Sequence, residues 1–195
     1  MVPRRRAVLL LAAVFLGPVA LSLWLYSCAR SLQPRGRSNY GALISPPRPL
    51  PELSLATPGG AATAPAWLRG RWSLVQLAPD DCAAGCRQSL RTTRALQLVL
   101  GRDQRRVQRV LLIGAACCSG VPLAAEDPAL LIARSDDGAG ERLLAAFADG
   151  TARTDPARIY LVDPLGNLMM SYPAPAERQG LLRDLEQLLR LSAIG

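Results

Sequence analysis

Trp72-Ser73-Leu74-Val75-Gln76-Leu77, followed within a few residues by Asp80-Asp81-Cys82-Ala83-Ala84-Gly85-Cys86, decides the fold. The first six residues have the alternation and the β-branched and aromatic content of a strand. Pro79 ends it, and Asp80-Asp81 stands where a helix N-cap belongs. A helix is expected from about residue 83 to residue 100, with Gly101 as its stop. Leu90, Leu96, Val99 and Leu100 give that helix an apolar face, and Arg87, Arg91 and Arg94 a basic one. Two cysteines are thus placed where a strand hands over to a helix.

Downstream, Val107 to Ala116 is a largely apolar run suited to a buried strand. Leu130 to Ala133 reads as a short strand and Glu141 to Ala148 as a short helix. Arg158 to Asp163 and Leu168 to Tyr172 flank the turn Pro164-Leu165-Gly166-Asn167 and read as a hairpin. Leu181, Leu182, Leu185, Leu188 and Leu189 recur at helical spacing and predict a closing helix over residues 176–191.

Upstream, residues 7–26 form a stretch of 20 residues without a charge, long enough to span a bilayer core. Trp24 and Tyr26 suit a membrane interface, and Arg4, Arg5 and Arg6 favour a cytoplasmic N-terminus. Arg30, Arg35 and Arg37 make the charge bias uneven, and a cleaved signal peptide is the competing reading. The apolar stretch exceeds the usual signal-peptide core, so the expectation is a single-pass anchor over residues 1–28. Seven prolines between residues 29 and 66 predict an extended linker. Residues 67–195 are expected to be the folded domain.

Charge supports this division. Residues 1–60 carry seven Arg against Glu52, a net +6, whereas the remaining 135 residues carry 16 Arg and 14 acids, a net +2. The basic excess flanks the apolar stretch, which argues against nucleic-acid binding by the domain. The chain has no His, which removes the usual general base and the imidazole metal ligands.

A thiol in the first turn of a helix lies near free N–H groups and the positive end of the helix dipole, and both favour the reactive thiolate. Arg87 adds to that effect and Asp80 and Asp81 oppose it. Within a regular helix, i and i+4 Cβ atoms lie about 5–6 Å apart. A disulfide needs about 3.5–4.5 Å. Direct pairing is therefore easiest if Cys82 precedes the helix, with Gly85 giving local freedom. Reduced, the two sulfurs suit Cu(I). A plain structural staple is the competing reading, since exported compartments oxidise thiols.

The order β-(CxxxC)-α-β … α-β-β-α, with Cys82-Ala83-Ala84-Gly85-Cys86 at the first junction and Ile159-Tyr160-Leu161-Val162-Asp163-Pro164-Leu165-Gly166-Asn167-Leu168 as the hairpin, resembles the SCO/SenC family of thioredoxin-like cytochrome c oxidase assembly proteins. It resembles most the small membrane-anchored proteobacterial relatives. That likeness implies an α/β thioredoxin-like domain behind one transmembrane helix, in the bacterial inner membrane with the domain in the periplasm. It implies thiol–disulfide exchange or Cu(I) handling at Cys82 and Cys86, the catalytic and metal-binding candidates. Cys82 would be the exposed attacking thiol and Cys86 the resolving one. The implied partner is a cytochrome c oxidase subunit or a copper chaperone. An SCO-type copper site adds a His, and the matching position falls near Asp155. Two-coordinate Cu(I) fits the remaining donors better than Cu(II) does. A thioredoxin-style cis-proline would fall near Pro156. The alternative is a binding module that keeps the shape and a structural disulfide without chemistry.

Cys117 and Cys118 follow the second domain strand, on the side of a parallel sheet where functional loops collect. They are read as buried apolar residues, with approach to Cys82 and Cys86 as the second reading and a bond between the adjacent pair as the least favoured. Cys28 is an odd thiol at the end of the apolar stretch. Met169-Met170 is read as strand packing, one side chain inward and one outward.

Overall fold

The computed structural model describes residues 4–31, 39–78, 80–118, 123–148, 157–192 and 194. They divide into two units, Met1–Ser38 and Asn39–Gly195. The first contains helix α1, Arg4–Ser31, with Pro18 inside it. Side chains along α1 are described continuously over residues 13–27, and among the described residues no helix is long and apolar enough to cross a membrane.

The second unit is a six-stranded mixed sheet with helices on its faces. In chain order its elements are β1 (Ala42–Pro49), β2 (Trp72–Ala78), α2 (Ala84–Val99), β3 (Val107–Ile113), α3 (Leu123–Glu126), β4 (Leu130–Arg134), α4 (Gly138–Phe147), β5 (Ile159–Val162), β6 (Asn167–Tyr172) and α5 (Arg178–Leu191). Across the sheet the order is β1-β6-β5-β2-β3-β4. β2, β3 and β4 run parallel, and β5, β6 and β1 each pair antiparallel with their neighbour. The strands and helices read from the sequence between residues 72 and 191 all form, with ends shifted by up to three residues.

The linker expectation is corrected. Residues 39–66 belong to the folded unit, and Ala42–Pro49 is an edge strand on β6. Prolines are tolerated there because an edge strand has one side without ladder partners, and the register shifts between Leu43 and Arg48, where Pro46 and Pro47 lie. Leu50 and Leu55 then enter the core.

Every residue of β2 and β3 is buried, as befits central strands covered on both faces. Val75, Leu77, Val110 and Leu112 pack with Leu143 and Phe147 of α4 on one face. Trp72, Leu74, Ile159 and Leu161 pack with Leu96 of α2 and Leu181, Leu185 and Leu189 of α5 on the other. Met170 is buried and Met169 only partly so, as the strand reading expects. Several polar side chains within these strands are paired, although the Trp72 indole N–H and the Gln108 amide oxygen are buried without a hydrogen-bond partner. Gln108 donates to the Ser73 hydroxyl at 2.7 Å, and Arg109, 1 % exposed, meets Asp127 at 2.5 Å.

Candidate functional site

Cys82 and Cys86 are disulfide-bonded, with Cα atoms 5.1 Å apart. The pairing follows from where α2 starts. Ala83 is its N-cap, in an extended conformation with φ −66° and ψ −174°, so Cys82 precedes the helix and Cys86 lies in its first turn. Asp80 and Asp81 are exposed, and no side chain caps α2, which corrects the capping expectation. Gly85 is also corrected: it lies within the helix, and its lack of a side chain gives room, since a Cβ there would stand 3.1 Å from the Ala157 Cβ.

Several contacts hold this junction. The Arg87 guanidinium donates to the Cys82 carbonyl at 3.0 Å, and Ser89 donates to the Ala157 carbonyl at 2.6 Å. On the sheet face beneath α2, Gln76 donates to the Cys86 carbonyl at 3.5 Å, and Arg109 to the Thr93 hydroxyl at 3.3 Å.

Cys82 is 3 % exposed and Cys86 1 %, so the expectation of an exposed attacking Cys82 is corrected. The reason is packing: the pair sits in an apolar cluster with Ala78, Leu90, Leu111, Ile113, Leu130 and Ile132. Cys117 belongs to the same cluster and Cys118 packs against it. Cys117 and Cys118 are bonded to each other, the pairing that the sequence reading favoured least. The turn explains it. The Cys117 N–H donates back to the Gly114 carbonyl at 3.1 Å, and Cys118 takes φ +64°, which folds the second side chain towards the first.

Among the described residues no group of three or more His, Cys, Asp or Glu gathers to hold a metal ion. Reduced, Cys82 and Cys86 make a two-thiolate donor set that suits Cu(I) and lacks the nitrogen and oxygen ligands Cu(II) prefers. Asp155 and Pro156 lie outside the described residues, as does the side chain of Cys28.

A mixed sheet with a cysteine pair between its central strand and the following helix defines a thioredoxin-like domain. The chain belongs to the family described as transmembrane-like, thioredoxin-like, C-terminal domain, whose model matches residues 72–192. No curated protein sequence matches it. Its fold is similar to apo Sco1 from Thermus thermophilus, with a TM-score of 0.61 at 16 % identity, covering 79 % of this chain and 99 % of that one. It is also similar to Bradyrhizobium japonicum ScoI with copper bound, with a TM-score of 0.55 at 18 % identity, covering 71 % and 98 %. A third likeness is to BsSco, described as a member of the Sco family of cytochrome c oxidase assembly proteins with a disulfide switch. There the TM-score is 0.55 at 15 % identity, covering 77 % and 99 %.

Proposed function

We propose that this protein is a membrane-anchored assembly factor for respiratory cytochrome c oxidase that acts by thiol–disulfide exchange at Cys82 and Cys86. The observation that carries the reading is the bonded pair at the β2–α2 junction of a thioredoxin-like sheet. The Sco proteins of similar fold support the setting, one of them described as an oxidase assembly protein and another solved with copper. Residues 7–26 anchor the chain in the bacterial inner membrane, Arg4, Arg5 and Arg6 stay cytoplasmic, and the domain stands in the periplasm. The partner is an oxidase subunit or a copper chaperone whose cysteines must be kept reduced.

Cys82 and Cys86 are the exchanging pair. Cys82 immediately precedes the Ala83 N-cap of α2 and Cys86 lies in its first turn, so one junction presents both sulfurs together. Equilibration of the full chain in thiol buffers of graded potential, with alkylation and mass mapping of Cys82 and Cys86, tests this. The expected midpoint lies above about −300 mV; a lower one marks a permanent staple and rejects the reading.

The second reading is Cu(I) carriage by the same two thiolates, favoured by the donor set. Under it, Cu(I) titration of the reduced chain finds one tight site that Cys82→Ser abolishes. Equal binding by both chains rejects carriage.

A further inference from the structure

The proposed exchange meets an obstacle: Cys82 and Cys86 are 3 % and 1 % exposed, which bars direct attack by a protein thiol. A second pair shares their apolar cluster. Cys82 follows the end of β2 by four residues, and Cys117 follows the end of β3 by four. β2 and β3 are parallel, hydrogen-bonded neighbours about 4.8 Å apart. Ala78 is in register with Ile113, and Gly114 N–H donates to the Ala78 carbonyl at 3.1 Å, so both cysteine segments leave the sheet at the same C-terminal end of its parallel strands. Cys82, Cys86 and Cys117 belong to one apolar cluster, and Cys118 packs against it.

The pairs differ in access. Cys117 is 6 % exposed and faces the cluster, while Cys118 is the partly exposed one of the four. Cys118 is also the one non-glycine among the described residues with positive φ. Backbone held in such a region clusters at functional sites.

We infer that Cys117–Cys118 is a second redox-active pair, the outer station of a relay that passes electrons between a protein dithiol partner and Cys82–Cys86. The inference rests on the reading of Cys82–Cys86 as an exchanging pair. A partner thiolate attacks the Cys118 sulfur, the Cys117–Cys118 bond breaks, and Cys117 leaves as thiolate. The partner's second thiol displaces Cys118 and completes the partner's own disulfide. Cys117 thiolate then attacks the Cys82 sulfur, breaking the Cys82–Cys86 bond and releasing Cys86. Cys118 thiolate attacks Cys117, re-forms the outer bond and frees Cys82. Two electrons and two protons have moved from the partner dithiol to Cys82 and Cys86, and the outer pair is oxidised again. Each step is an ordinary thiolate–disulfide displacement.

Reduced thioredoxin serves as the protein dithiol, the full chain is held in detergent, and reduction of Cys82 and Cys86 is followed by timed alkylation and mass mapping. Cys118→Ser is expected to slow that reduction by roughly tenfold or more. In Cys86→Ser/Cys118→Ser, which can neither resolve nor reverse the exchange, a Cys82–Cys117 linked peptide is expected to accumulate under mild oxidation. Misfolding acts in the opposite direction, because unfolding exposes Cys82–Cys86 and speeds its reduction. An unchanged or faster rate in Cys118→Ser, or absence of the linked peptide, overturns the relay while leaving exchange at Cys82–Cys86 intact. A wild-type chain whose Cys82–Cys86 bond stays oxidised throughout overturns both.

Discussion

Asp184, 3 % exposed on α5, accepts the backbone N–H groups of Tyr40 and Gly41 at 2.9 Å each and the Tyr172 hydroxyl at 3.0 Å. One carboxylate thereby ties the start of the folded unit to its last strand and last helix. Gly180 makes room, because a Cβ there would stand 2.6 Å from the Tyr40 ring. Removal of the carboxylate leaves three donors short of an acceptor, so Asp184→Ala should lower unfolding free energy by about 3 kcal/mol, read from urea titration. The same site makes stability fall at high pH. Burial first, then the Asp184 charge and hydrogen bond, raise the Tyr172 phenol above its ordinary value. The unfolded chain ionises this phenol near pH ~10 while the folded chain keeps it neutral. Its contribution is therefore intact below that pH and declines as pH rises towards the folded value. Urea midpoints measured between about pH 9 and 11 should fall in the wild type and fall less steeply in Tyr172→Phe.

The elements were legible wherever their signal is local. The pattern of Leu181, Leu185 and Leu189 announces α5, and all three are buried. Capping was less legible. Asp80 and Asp81 suit an N-cap by residue type, yet α2 begins after Ala83 and takes no side-chain cap. A side-chain cap does form at α4, where the Asp137 carboxylate accepts the Gly140 N–H at 2.6 Å. Asp137→Ala should therefore cost about 1 kcal/mol, seen as a lower urea midpoint with an unchanged slope. Proline content misled at β1. Pro46, Pro47 and Pro49 read as linker because the tolerance of an edge strand depends on which strand it joins, and β6 lies more than a hundred residues away in the chain.

At the scale of the molecule, the boundary of the folded unit is a stability question. A chain beginning at Asn39 retains β1 together with Leu50 and Leu55, which are 6 % and 0 % exposed. One beginning at Trp67 loses both leucines and uncovers the edge of β6. Burial of each leucine contributes about 1.5–3 kcal/mol, so the shorter chain should be less stable by at least ~3 kcal/mol. Thermal unfolding of the two fragments checks this: a single cooperative transition is expected for 39–195, and a markedly lower midpoint or aggregation for 67–195. Equal midpoints would return residues 39–66 to the role of spacer.

The division between sequence and structure follows from the range of each interaction. Periodicity, turn chemistry and the spacing of Cys82 and Cys86 are local, and they determined the element order, the thioredoxin-like plan and the position of the first cysteine pair at a strand–helix junction. Packing is not local. Only the tertiary structure decided that this pair is buried, that β1 joins the sheet, and that Cys117 and Cys118 share an apolar cluster with Cys82 and Cys86. That last meeting depends on β2 and β3 being parallel neighbours in a given register, and such pairing is set by the competition of all strands for one shared core.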